Sequence, residues 1–299
     1  MKKFSYILLI AALMLINAKN VQASNEVYYI NRENIEMTEE EYNTLLELGF
    51  TEAQIDRMDY DEFESNKDLD ATLVAQTEQL VKTTVTIQNG IKTYHSEVVT
   101  ENQMQQEMVM QSMGPTYGTN ISGSFEDGIS YSMFKRLTTY IVCLGGYMMR
   151  YKMDMQYVTI PSERYYDIIG IAVEPTKVYV ASVLIFREDH ITTGGTFGHN
   201  EAGYTKTETT GGSILFELPS GSLDTLESYI YFNVNKKTGV GTITTLGAYG
   251  DYAHAYSSVT DDVYDYYTLN HGSGFVFDNP YGGTFDDTTM AVGTFVGTW

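Results

Sequence analysis

The chain has 299 residues, 39 acidic against 18 basic, and a formal net charge of −21. Such a charge repels nucleic-acid phosphates, which excludes nucleic acid as a partner, and it argues against association with anionic membrane surfaces. The lone cysteine, Cys143, excludes an intramolecular disulfide; within Ile141-Val142-Cys143-Leu144 it reads as a small buried hydrophobe rather than a nucleophile.

Lys2 and Lys3 make a basic start, Tyr6 to Ile16 is an unbroken apolar run, and Val21-Gln22-Ala23 follows polar Asn17, Lys19 and Asn20. That layout predicts a secretory signal peptide over residues 1–23, cleaved after Ala23. Eleven apolar residues fall short of the ~20 that a spanning helix needs, so no membrane span is expected in the mature chain. Localisation is predicted as secreted and extracellular. The product is also expected to be untethered. No cysteine follows the run for lipid attachment, and Leu218-Pro219-Ser220-Gly221-Ser222 lacks the hydrophobic segment a sortase signal needs. Removing three signal lysines takes the net charge to about −24, a charge that favours solubility.

Residues 24–78 are expected to form an acidic helical module. Thr38-Glu39-Glu40-Glu41 is a capping box, and Tyr42, Leu45, Leu46 and Phe50 follow at helical spacing up to Gly49. Thr51 through Gln54 repeats the box, with Ile55 and Met58 as its apolar side, and Asp59-Tyr60-Asp61-Glu62 starts a third turn presenting Phe63. Three short helices around Leu48-Gly49-Phe50 resemble the ubiquitin-associated kind of mini-bundle, and in an exported chain they read as a packing unit. The acidity argues against a DNA-binding helix-turn-helix. Counted from Asp59, an EF-hand fails because Glu64 stands where the glycine belongs.

Residues 79–115 read as a β-hairpin and a short helical connector. Asn89-Gly90 suits a two-residue type I′ turn. The turn places Ile87 opposite Lys92, Val85 opposite Tyr94, Lys82 opposite Glu97 and Val81 opposite Val98, with an apolar and a polar face. Thr100 to Gln103 caps a helix carrying Met104 and Met108, stopped at Gly114-Pro115.

From residue 116 to 299 strand follows strand, separated by Gly145-Gly146, Pro161-Ser162, Glu174-Pro175, Gly194-Gly195, Gly211-Gly212 and Lys237-Thr238-Gly239. Long helices do not alternate with them, which excludes a parallel α/β fold. The predicted fold is therefore mainly β: an antiparallel β-sandwich or jelly roll preceded by a small acidic three-helix module.

Chemistry is sparse. The five histidines show no paired zinc spacing. Asp251 and His254, three apart, are the weak candidates for a base and its orienter, with no nucleophile elbow beside them. Asp261-Asp262, Asp286-Asp287 and Glu126-Asp127 are neighbouring acids that cap turns or bind calcium loosely. No catalytic residue, cofactor or metal ligand is assigned; calcium is the single ion entertained.

Tyrosine is abundant, with 25 in the chain. A ring that is apolar with a polar tip suits protein and glycan surfaces, so Tyr165, Tyr166, Tyr264, Tyr266 and Tyr267 form the candidate interaction surface. The stretches Tyr28-Tyr29-Ile30-Asn31 through Met58 and Gly250-Asp251-Tyr252-Ala253-His254-Ala255, with the terminal tryptophan, resemble uncharacterised secreted proteins of Gram-positive bacteria. That resemblance implies export and no activity. The function expected is non-enzymatic binding of an extracellular protein or glycan. The alternatives are an extracellular hydrolase acting on glycans, whose acids assemble only in the fold, and a membrane-active β protein.

Overall fold

The computed structural model describes residues 26–113, 130–146, 148–257, 259–278, 284–286 and 290–299. The expected export signal, the Gly114-Pro115 stop, Glu126-Asp127 and Asp287 lie outside the described residues. The chain divides into two compact units: one runs to Leu46 and includes Phe50–Asp68, the other comprises Glu47–Gly49 and Leu69–Trp299.

In the first unit, β1 (Tyr29–Ile30) and β2 (Glu36–Met37) pair antiparallel ahead of α1 (Glu39–Glu47), α2 (Glu52–Arg57) and α3 (Tyr60–Asn66). The caps are the expected ones. Thr38 Oγ1 accepts the Glu41 N–H at 3.3 Å while Glu41 accepts the Thr38 N–H at 2.8 Å. Thr51 and Gln54 exchange the same bonds, and Asp59 accepts the Glu62 N–H. Each cap satisfies donors that a first turn leaves unpaired. Buried Asn31 fastens the unit: its amide donates to the carbonyls of Ile55 and Met58, and its oxygen accepts from Glu33 and Ile35. The β1–β2 pair escapes a period-2 search because each strand has only two residues.

The second unit is an antiparallel β-sandwich. Its larger sheet contains β3 (Thr72–Gln88), β4 (Ile91–Val99), β5 (Ser130–Cys143), β6 (Met148–Tyr157), β8 (Val178–Val180), β9 (Ile185–Thr192), β10 (Phe197–Asn200) and β13 (Leu223–Lys236). The order is β10-β9-β13-β6-β5-β3-β4, with β8 also on β13. The smaller sheet runs β11 (Tyr204–Glu208), β12 (Gly211–Glu217), β7 (Tyr166–Val173), β14 (Thr245–His254), β17 (Ala291–Val296). Leu137, Ile141, Met153, Ile230 and Phe232 from the first sheet share one core with Ile169, Ile171, Phe216, Leu246 and Phe295 from the second.

The hairpin register is the one the turn dictates: Ile87 faces Lys92, Val85 faces Tyr94, Lys82 faces Glu97 and Val81 faces Val98. Asn89 and Gly90 take φ of 52° and 74°, as a type I′ turn requires. β3 begins nine residues before Val81, at Thr72, and pairs β5 down to Thr86, so the hairpin is the edge of the larger sheet. The connector helix α4 (Glu101–Met113) is capped by Thr100 and buries Met104 against Leu80 and Phe134.

Residues 177–186 hold no turn dipeptide yet span two strands: β8 ends at Val180 and β9 begins at Ile185. Ser182 Oγ accepts the Asn233 N–H, and this break separates β8 from β9, which pair with successive stretches of β13. β14 runs from Thr245 to His254 and so takes in the Gly250–His254 motif. Alternate residues of β7 explain its unbroken apolar run. Ile169 and Ile171 face the sandwich core, while Ile168 and Ala172 face a second cluster formed with β15 (Tyr267–Asn270) and β16 (Gly274–Phe277). Both faces of the smaller sheet are thus covered. Gly170 permits this approach, since a Cβ there would come within 2.8 Å of Leu269 and Phe275.

Candidate functional site

Two groups of polar side chains stand out, one inside the sandwich and one on its surface. The inner group centres on Asp167 in β7. Its register partner across the sheet is His254 in β14, and both side chains are fully buried. His254 presents Nδ1 to Asp167 Oδ1 at 2.6 Å. Oδ2 accepts the hydroxyls of Tyr157, at 2.8 Å, and Tyr252. Burial, and then the Asp167 charge, push both phenols well above their ordinary pKa, so they stay protonated and donate.

The weak candidates Asp251 and His254 are not brought together. An odd spacing along a strand sends side chains to opposite faces. His254 turns inward, whereas Asp251 turns outward and accepts the backbone N–H groups of Tyr252 at 2.9 Å and Phe275 at 2.7 Å. Asp251 thereby pins β16 onto the smaller sheet. The partner His254 does find, Asp167, lies 87 residues away in sequence. Only the strand pairing reveals it.

A second buried titratable group lies in β9. Glu188 is fully buried, and its Oε1 is 2.9 Å from His190 Nδ1. Burial, with the charges of Asp189 and Asp167, raises the Glu188 pKa to about 8. Burial lowers that of His190. Arg187, on the opposite face of the strand, bonds Asp189 at 2.9 Å.

The surface group lies over the outer face of the smaller sheet. A 3-10 turn (Asp261–Tyr266) leads into β15 and lays its tyrosines beside the edge strand β11. Tyr204 and Tyr264 have ring centroids 6.2 Å apart. The Tyr204 hydroxyl donates to Asp261 at 2.5 Å, and that bond, ahead of the Asp261 charge, raises its pKa. The Tyr264 hydroxyl donates to the Thr205 carbonyl at 2.9 Å. Lys206 binds the Tyr267 carbonyl at 2.6 Å and lies 4.7 Å and 5.4 Å from the centroids of the Tyr267 and Tyr264 rings. These bonds tether the Tyr204 and Tyr264 hydroxyls, which restricts their side-chain freedom.

The five sequence-predicted tyrosines therefore divide. Tyr266 is exposed; Tyr165, Tyr166 and Tyr264 are half-buried against the outer cluster; Tyr267 is buried within it. Tyr267 bonds Ser213 at 3.1 Å and is a packing residue. Tyr204, exposed on β11, belongs to the surface and was missed. Its neighbours in sequence are not tyrosines, so a search for dense tyrosine runs passes over it.

The neighbouring acids among the described residues are each engaged by a protein group. Asp261 holds Tyr204, Asp262 accepts the Thr260 hydroxyl, and Asp286 is buried against Lys135. Among the described residues, no group of three or more His, Cys, Asp or Glu converges as a metal site. No helix among them is long and apolar enough to cross a membrane. The first unit carries an open groove of about 460 Å³ lined by Glu33, Glu36, Glu41, Tyr60, Glu64 and Lys67, in which Lys67 is held by Glu64 at 2.7 Å.

No family model matches the chain, and no curated protein does. Among solved structures it is similar to the C-terminal domain of the AgI/II polypeptide BspA of Streptococcus agalactiae. The TM-score is 0.28 and the identity 7%, covering 72% of this chain and 84% of that one. It is also similar to the collagen binding domain of the surface protein RspB of Erysipelothrix rhusiopathiae, at TM-score 0.26 and 7% identity, covering 56% and 66%. Likenesses of this degree transfer no function to this chain.

Proposed function

We propose that the chain is an exported, non-enzymatic binding protein that engages an extracellular protein through the tyrosine surface over β11 and the 3-10 turn. The observation that carries this reading is the gathering of Tyr204 and Tyr264 beside Lys206 and Asp261 at the edge strand β11, with Tyr166 near Asp261 and exposed Tyr266 on the same 3-10 turn. Tyrosine supplies contact area and a polar tip at low entropic cost. β11 lies at the end of its sheet, where main-chain N–H and C=O groups can accept an extended polypeptide as an added strand. The acidic balance of the chain favours a basic or neutral partner.

The hydrolase reading is weaker. Its best Asp–His pair has no exposed side-chain surface and reaches no substrate. The test is binding of residues 24–299 to arrayed extracellular proteins and arrayed glycans, alongside a Tyr204→Ser, Tyr264→Ser, Tyr266→Ser variant whose fold is checked by circular dichroism. The reading expects a protein ligand whose binding the variant loses. Binding that survives in the variant, or binding to glycans alone, overturns it.

A further inference from the structure

We propose that Lys135 and Asp286 join their side chains in an intramolecular amide bond, a covalent clamp between the two sheets. Lys135 lies in β5 of the larger sheet. Asp286 follows the Ala255–Phe285 bridge, and its N–H donates to the His254 carbonyl at 3.1 Å, which attaches it to the smaller sheet. Both side chains are wholly buried, and Lys135 Nζ meets Asp286 Oδ2. An ammonium carries three donors. Among the described residues this one is offered a single carboxylate and the face of Tyr252, 5.4 Å from Nζ. A buried ion pair with unused donors offsets its desolvation poorly. An amide in its place carries no charge and one N–H.

The surroundings distinguish the two oxygens of Asp286. Oδ1 accepts the backbone N–H of His254 at 2.7 Å, which polarises the carbonyl and steadies the charge of a tetrahedral intermediate. Oδ2 accepts the hydroxyls of Thr83 at 3.1 Å and Tyr256 at 3.4 Å, donors placed on the oxygen that leaves. Transfer of one proton within the pair gives an amine and a carboxylic acid. Nζ attacks Cγ, the Nζ–Cγ bond forms and the Cγ–Oδ2 bond breaks. Oδ2 departs as water with two of the three ammonium protons, and the third stays on the amide nitrogen. The opposite charges cancel, and no oxidant or cofactor is consumed. Burial holds the reacting atoms in place and keeps bulk water from reversing the step.

Lys152 and Asp154, also in contact, make the contrast. They stand two apart on one strand, where a bond would link β6 to itself, and Lys152 has a main-chain carbonyl and the rings of Tyr140 and Tyr229 as further partners. The Lys135–Asp286 link instead closes 151 residues of a chain whose lone cysteine permits no internal disulfide.

Intact-mass spectrometry of the purified, denatured chain, with its N-terminus sequenced, is the test. The proposal predicts a mass one water below that of the sequence and a branched peptide containing Lys135 and Asp286. Lys135→Arg and Asp286→Ala restore the full mass. Full mass in the folded wild-type chain, with Lys135 open to amine labelling after denaturation, overturns the proposal. So does a water deficit that persists in both variants.

Discussion

His254 stands directly opposite Asp167 in the pairing of β14 with β7, its Nδ1 2.6 Å from Oδ1, and neither side chain reaches solvent. This pair has the residue types of a catalytic dyad and the placement of a structural one. Asp167 accepts from three side chains inside the sandwich, so its carboxylate organises the core. Asp167→Ala leaves the ring and the hydroxyls of Tyr157 and Tyr252 facing a void. It is expected to cost about 3–5 kcal/mol, read as a lower urea midpoint. A cost below ~1 kcal/mol would show that the network is solvated.

Glu188 supplies a pH dependence whose sign is opposite to the usual carboxylate case. Its pKa is about 8 in the fold, against 4.5 when unperturbed, because of burial and the charges of Asp189 and Asp167. The fold thus keeps a proton that the unfolded chain releases, and stability falls as pH rises from about 4.5 to about 8. Glu188→Gln removes this loss and retains a hydrogen bond to His190. The variant should match the wild type near pH 4 and exceed it by on the order of 5 kcal/mol at pH 9. Urea unfolding at several pH values checks this; a gap independent of pH argues against the shift.

The tyrosines separate packing from binding. Tyr267→Phe deletes a buried hydroxyl bonded to Ser213 and is expected to cost about 1 kcal/mol of stability with partner binding intact. Tyr266→Ser, at an exposed position, should change stability by less than ~0.5 kcal/mol while weakening binding. Thermal melts paired with binding titrations distinguish the two.

The hairpin turn tests the register argument. Gly90 has φ of 74°, and nothing stands within 4 Å of an added Cβ, so Gly90→Ala meets backbone strain alone. A loss of about 1 kcal/mol is expected, measured by chemical denaturation. Gly90→Asn should recover part of it, since asparagine tolerates this conformation.

Much of the fold is legible because its signals are local. The capping boxes at Thr38 and Thr51, the Asn89-Gly90 turn and the alternation of strands each act within a few residues. They fix the helices, the hairpin register and the antiparallel β class. Strand extent was less legible: β3 gains its first nine residues from pairing with β5, and the break at Ser182 comes from β13. The candidate sites were least legible. Asp251 and His254 are close in sequence but point to opposite faces, whereas Asp167 and His254, like Lys135 and Asp286, meet only through the stacking of strands. Tyr267 was misjudged as surface because the cover made by β15 and β16 over the outer face leaves no trace in periodicity.

The most direct test of the proposed binding surface is a side-by-side array measurement of residues 24–299 and the Tyr204→Ser, Tyr264→Ser, Tyr266→Ser variant against extracellular proteins and glycans. The account predicts saturable binding of the wild type to a protein, lost in a variant that retains its β spectrum. Equal binding by both chains, or turnover of an arrayed glycan by either, would contradict it.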